Sequence, residues 1–115
     1  MQSVKLERYN SLFVKEISSI IQNDVKDNNI KFVTITGCEI TNDLSFAKVF
    51  YTVLDDSKKK ETKQALEKAS GFIRGEISKR VEIRHTPELR FVYDNSSEYG
   101  TNIERLIKKI HDEGK

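Results

Sequence analysis

The 115-residue chain has one cysteine, one proline, two histidines and no long apolar run. Each scarcity removes a class of protein. Cys38 by itself cannot close an internal disulfide, so nothing in the composition points to an oxidising compartment. No stretch approaches the roughly eighteen consecutive apolar residues that a membrane-spanning helix needs. The opening residues Met1 to Arg8 lack the apolar core of a signal peptide and include Glu7. A cytoplasmic, reduced protein is therefore expected. Linkers rich in Pro, Gly or Ser, low-complexity tracts and internal repeats are missing as well. At roughly 100–200 residues per domain, the length suits one domain spanning 1–115, with a core over about 5–95.

Catalytic chemistry is equally sparse. Cys38 falls in a run of β-branched residues, where a lone thiol behaves as a small buried hydrophobe. His85 and His111 stand in a loop and near the C-terminus, without a nucleophile in view. No cluster of His, Cys and carboxylates has metal-ligand spacing, so neither a metal nor a cofactor is expected. Asp55 and Asp56 are adjacent, point different ways, and suit helix capping better than acid–base work. The spacing Gly71 to Gly75 lacks the preceding strand and the lysine of a phosphate-binding loop. The chain has little to offer as an enzyme.

Charge and periodicity are what it does have. The net charge is only +2, with 33% charged and 37% hydrophobic residues. Residues 1–54 balance at zero, whereas residues 58–90 hold ten basic and five acidic side chains. Such a run is compatible with a solvated helix laced with ion pairs, for example Glu76 with Lys79 and Arg80. It is also compatible with a surface that faces a polyanion.

Leu6, Tyr9, Phe13, Ile17, Ile20 and Ile21 recur at helical spacing and predict a helix over about 4–26. Residues 30–41 and 45–54 are rich in β-branched side chains, with turn chemistry at Thr41 to Leu44 between them. They predict an antiparallel hairpin in which Gly37 marks a bulge. Asp55-Asp56-Ser57 can cap a helix whose stripe of Leu66, Ala69, Ile73 and Ile77 runs across Ser70-Gly71. A glycine costs about 1 kcal/mol inside a helix, which predicts a kink or a break between two helices, about 57–69 and 72–81. On this reading a valine at Gly71 destabilises the domain. Glu88 to Asp94 alternates as a third strand, and Thr101 to Glu104 opens a helix over about 101–112. The order helix, strand, strand, broken helix, strand, helix predicts an α+β fold: a three-stranded sheet with helices on one face.

This order resembles the type II KH fold, and within it the ribosome-binding factor A family. The resemblance runs over about residues 5–110. It rests on Ala69-Ser70-Gly71, which matches the Ala-x-Gly interruption where other KH domains have Gly-x-x-Gly. Thr41 to Leu44, Ala47 to Phe50, Pro87 to Phe91, Tyr93-Asp94, and Gly100 followed by Ile103, Leu106 and Ile107 add to it. The resemblance implies a non-enzymatic RNA-binding assembly factor of the small (30S) ribosomal subunit. It implies late maturation and 5′-end processing of 16S rRNA, and growth in the cold. The partners implied are small subunits and 16S rRNA; no membrane and no small-molecule substrate is expected, and a monomer is.

Lys63, Lys68, Arg74, Lys79, Arg80 and Arg84 are the candidate RNA-facing residues, with the amides of Ser70 and Gly71 at a helix start beside a phosphate. Arg80 and Arg84 fall near the apolar stripe and could cover the edge of the core instead. Lys5, Arg8 and Lys15 on the first helix are the fallback face. A protein-docking domain that uses its helical face is the alternative reading, and a small enzyme comes third.

Overall fold

The computed structural model describes residues 4–30 and 32–95. Its elements are α1 (Val4–Asn23), β1 (Val33–Ile40), β2 (Phe46–Val53), α2 (Lys59–Arg80) and β3 (Glu88–Tyr93), with single 3-10 turns at Asn28–Ile30 and Asp56–Lys58. The helix expected over 101–112 lies outside the described residues.

α1 forms where the apolar stripe predicts it and buries Leu6, Phe13, Ile17, Ile20 and Ile21. β1 and β2 pair antiparallel, and the register slips between Ile35 and Gly37. Gly37 thus sits at the expected bulge. β3 lies beside β2 and parallel to it, Ala47 opposite Leu89 and Tyr51 opposite Tyr93. The sheet order is β1-β2-β3. A parallel neighbour demands a crossover, and α2 supplies it.

Strand alternation places Ile35, Cys38, Ile40, Ala47, Val49, Tyr51, Leu89 and Phe91 on one buried face. α1 packs on β1 and on α2, and α2 packs on β3, so both helices cover this face. Neither of the two described helices covers the other face. Its rows carry both signs, Glu39 opposite Lys48 opposite Arg90, and the Arg90 guanidinium lies 3.9 Å from the Phe46 ring centre.

One expectation is overturned. α2 runs unbroken for 22 residues, so no helix ends at 69 and none begins at 72. Gly71 sits on the exposed side of that helix, and a Cβ built there meets nothing within 4 Å. The local cost of glycine is about 1 kcal/mol. Burial of Leu66 before it and of Ile73 and Ile77 after it outweighs that cost, at roughly 1.5–3 kcal/mol each. A continuous helix is the outcome.

Candidate nucleic-acid interface

The entry to α2 is built by Asp55. Its Oδ1 accepts from the Ser57 N–H at 3.0 Å and the Ser57 hydroxyl at 2.7 Å, and these bonds hold its carboxyl below the usual range. The capping role assigned to the acidic pair is met by Asp55, at the 3-10 turn that leads into the helix. Further in, the buried Thr62 hydroxyl donates to the Asn29 carbonyl at 2.9 Å and ties α2 to the turn before β1.

With its inner side fixed, α2 presents an outer side of exposed Lys60, Lys63, Gln64, Lys68, Gly71, Gly75, Ser78 and Lys79, interspersed with exposed Glu61, Glu67 and Phe72. Among the described residues Lys63 and Lys68 enter no ion pair. Lys79 pairs with Glu76 on its own helix, at 3.3 Å, and its side chain stays 76% exposed. An exposed pair of this kind contributes little to stability and leaves the charge available to a polyanion.

Two of the sequence-predicted cations have other work. Arg74 is half-buried; its Nε and Nη2 donate to the Thr86 carbonyl at 3.1 and 2.7 Å, and Nε also reaches the Pro87 carbonyl at 3.3 Å. It clamps the segment that leads into β3. Arg80 joins the helices: its guanidinium meets Asp24 at 2.5 Å, Glu16 at 3.7 Å and Glu76 at 3.8 Å. Arg80 thus links α2 to α1 through carboxylates of both helices.

Ser70 and Gly71 are also placed differently from expectation. Both lie mid-helix, where a backbone N–H points along the axis to the preceding turn. The Ser70 hydroxyl donates to the Glu67 carbonyl at 2.8 Å. A phosphate near Ser70 and Gly71 would therefore meet a helix flank between lysines, without the free amides of a helix start.

Arg84, past the end of α2, is exposed and lines a cavity together with Lys5 and Asn42. Sequence reasoning named Lys5 and Arg84 separately; no local spacing signals that they share a site. His111 lies outside the described residues. The Cys38 thiol is buried in β1, and burial, with the Glu39 charge beside it, pushes it up to about 12. Among the described residues no group of His, Cys, Asp and Glu could hold a metal ion. No helix of the described residues is long and apolar enough to cross a membrane.

Comparison with known proteins gives consistent matches. The family model for ribosome-binding factor A matches residues 5–107. The ribosome-binding factor A of Staphylococcus carnosus is 48% identical over 112 residues, covering 96% of this chain and 97% of that one. The crystal structure of ribosome-binding factor A from Thermus thermophilus superposes with a TM-score of 0.71 at 18% identity, over 76% of this chain and 94% of that one. A further match is a homology model of the Thermus thermophilus ribosome-binding factor A as fitted into a cryo-electron-microscopy map of a 30S complex with that factor. Its TM-score is 0.64 at 20% identity, over 76% of this chain and 92% of that one.

Proposed function

This chain belongs to the ribosome-binding factor A family, and from that premise we propose that it is a ribosome assembly factor that binds the immature small subunit through 16S rRNA. The 48% identity over nearly the full length carries the reading. The related Thermus protein, fitted into a map of a 30S complex, supports the choice of subunit. Late maturation, 5′-end processing of 16S rRNA and a part in cold growth belong to the same proposal. So do a cytoplasmic monomer, a single KH-like domain over residues 1–115, and action without catalysis. Purified protein should neither cleave RNA nor hydrolyse nucleotides, and its effect on processing is indirect.

The proposed rRNA-facing surface is the outer side of α2 from Lys63 through Lys68, Ser70 and Gly71 to Lys79, with Arg84 beyond its end. Arg74 and Arg80 lie behind it and support it. Two glycines one turn apart, Gly71 and Gly75, keep this flank low, so a sugar–phosphate backbone can approach the helix between lysines. With a net charge of only +2 on the whole chain, affinity must come from local positive charge plus shape rather than from bulk charge.

The test is a salt titration of binding to small subunits. Replacing Lys63, Lys68 and Lys79 together by Ala should weaken binding. It should also lower the slope of log affinity against log salt by roughly one unit for each phosphate that is no longer neutralised. Stability should stay within about 1 kcal/mol, since all three are exposed. Unchanged slope and affinity would move the interface off this face. A parent protein whose binding shows no steep salt dependence would favour apolar docking on a protein partner instead.

A further inference from the structure

We propose that the cavity between the first turn of α1, the β1–β2 turn and the segment after α2 is a phosphate site. It receives a backbone phosphodiester of the rRNA, with Lys5 and Arg84 as cationic clamp and Asn42 as neutral donor. The site rests on the proposed rRNA-binding function, and it locates a second contact away from the flank of α2.

The cavity measures about 280 Å³ and, among the described residues, is lined by two cations and no carboxylate. Leu6, Leu44 and Ile83 form its apolar wall, and Tyr9 and Asn42 complete the polar side. Lys5 and Arg84 come from opposite ends of the described chain. Both are exposed, and neither enters an ion pair among the described residues. Arg80 differs, because that cation is brought against three carboxylates. Two like charges gathered at one concave site raise the local positive potential, and an anion relieves it. Arg offers a planar fork and Lys a mobile point charge, a pair well matched to phosphate oxygens.

The site is rigid on two sides. Leu44 has φ of 64°, a left-handed backbone that a branched side chain seldom adopts. It is held there from several directions. The Leu44 N–H donates to the Thr41 carbonyl at 2.9 Å, and its side chain is only 9% exposed. Next to it, Asp43 Oδ1 accepts from the Thr41 hydroxyl at 2.8 Å, the Ser45 N–H at 3.0 Å and the Ser45 hydroxyl at 2.7 Å. A turn built this firmly fixes the backbone of Asn42 at the rim. Across the cavity, the Tyr9 hydroxyl donates to the Glu82 carbonyl at 3.2 Å and ties α1 to the segment that carries Arg84. Strain retained by surrounding structure is the pattern of binding sites and ligand clamps.

Two measurements on the full chain decide between the outcomes. In the first, the Lys5→Ala/Arg84→Ala double variant is titrated with salt against small subunits beside the parent. Charge-assisted contacts of this kind predict roughly tenfold weaker binding or more, and a slope lower by about one to two units. Asn42→Asp, which adds a carboxylate and removes no cation, should also weaken binding. In the second, inorganic phosphate is titrated and the backbone amides are followed by NMR; those of Lys5, Asn42 and Arg84 should shift together, and in the double variant they should not.

Subunit binding that is unchanged in both variants overturns the phosphodiester site, even where free phosphate still shifts these amides. Weaker binding of the double variant with an unchanged salt slope also overturns that site, and points to a carboxylate of a protein partner as occupant. A parent protein that fails to bind small subunits overturns the proposed function as well.

Discussion

Replacing Gly71 by alanine should make this protein more stable, by about 1 kcal/mol. Gly71 lies inside the 22-residue α2, on its exposed side, and an added Cβ has no atom within 4 Å to strike. The methyl group therefore costs nothing in packing. The gain is the helix-propensity difference between Gly and Ala, about 0.8–1 kcal/mol, most of it from the narrower unfolded ensemble of alanine. A domain of 60–100 residues shifts its Tm by about 4–8 °C per kcal/mol, and a longer one by less, so a rise of about 4–6 °C is expected. Gly75 is open in the same way, and the two changes together should approach twice the effect. Valine gains less, a few tenths of a kcal/mol, because its branched Cβ loses rotamers against the preceding turn. Thermal melts and urea titrations followed by circular dichroism read this out; the urea midpoint should rise with the m-value unchanged. A lower midpoint for Gly71→Ala would refute the reasoning and show that the helix needs a glycine's backbone freedom there.

Arg74→Met should lose about 2 kcal/mol, because the carbonyls of Thr86 and Pro87 forfeit a charged donor at a partly buried place. Its salt slope on small subunits should match the parent's, and a shallower slope would put Arg74 on the RNA. Asp43 has its pKa pulled down to about 2, first by the Ser45 hydroxyl, then by the Ser45 N–H and the Thr41 hydroxyl. A depressed carboxylate adds stability above its unfolded pKa, near 4, and loses it as pH falls through the folded value. The deficit of Asp43→Asn in urea titrations should therefore be full at pH 7, shrink below about pH 4 and vanish towards pH 2. A deficit independent of pH would mean that the turn relies on shape rather than on this charge. The Cys38 thiol, buried and pushed up to about 12, should resist alkylating reagents at pH 8 in folded protein and react once urea unfolds it. Rapid labelling of the native state would contradict its burial.

Much of the architecture is written locally. The stripe of Phe13, Ile17 and Ile20 dictates α1, because a 3.6-residue period can bury only one side of a helix. Alternation in Ala47-Val49-Tyr51 and in Leu89-Phe91 dictates strands with one covered face, and Gly37 and Asp55 announce a bulge and a cap. These signals act over a few residues, so the chain carries them without reference to its fold. Other features depend on contacts that no short window holds. β3 could have joined either side of the hairpin; packing of α2 over the sheet sets it parallel to β2. The expected break at Gly71 does not form, since buried side chains on both sides of it outweigh a local cost of about 1 kcal/mol.

The roles of the cations are likewise decided in three dimensions. A basic run has the same charge whether its members face carbonyls, carboxylates or solvent. Only the fold brings Arg74 to Thr86 and Arg80 to Asp24, leaves Lys63 and Lys68 outside, and sets Arg84 beside Lys5. Charge is a property of the residue, whereas the partner of a charge is a property of the whole chain's packing.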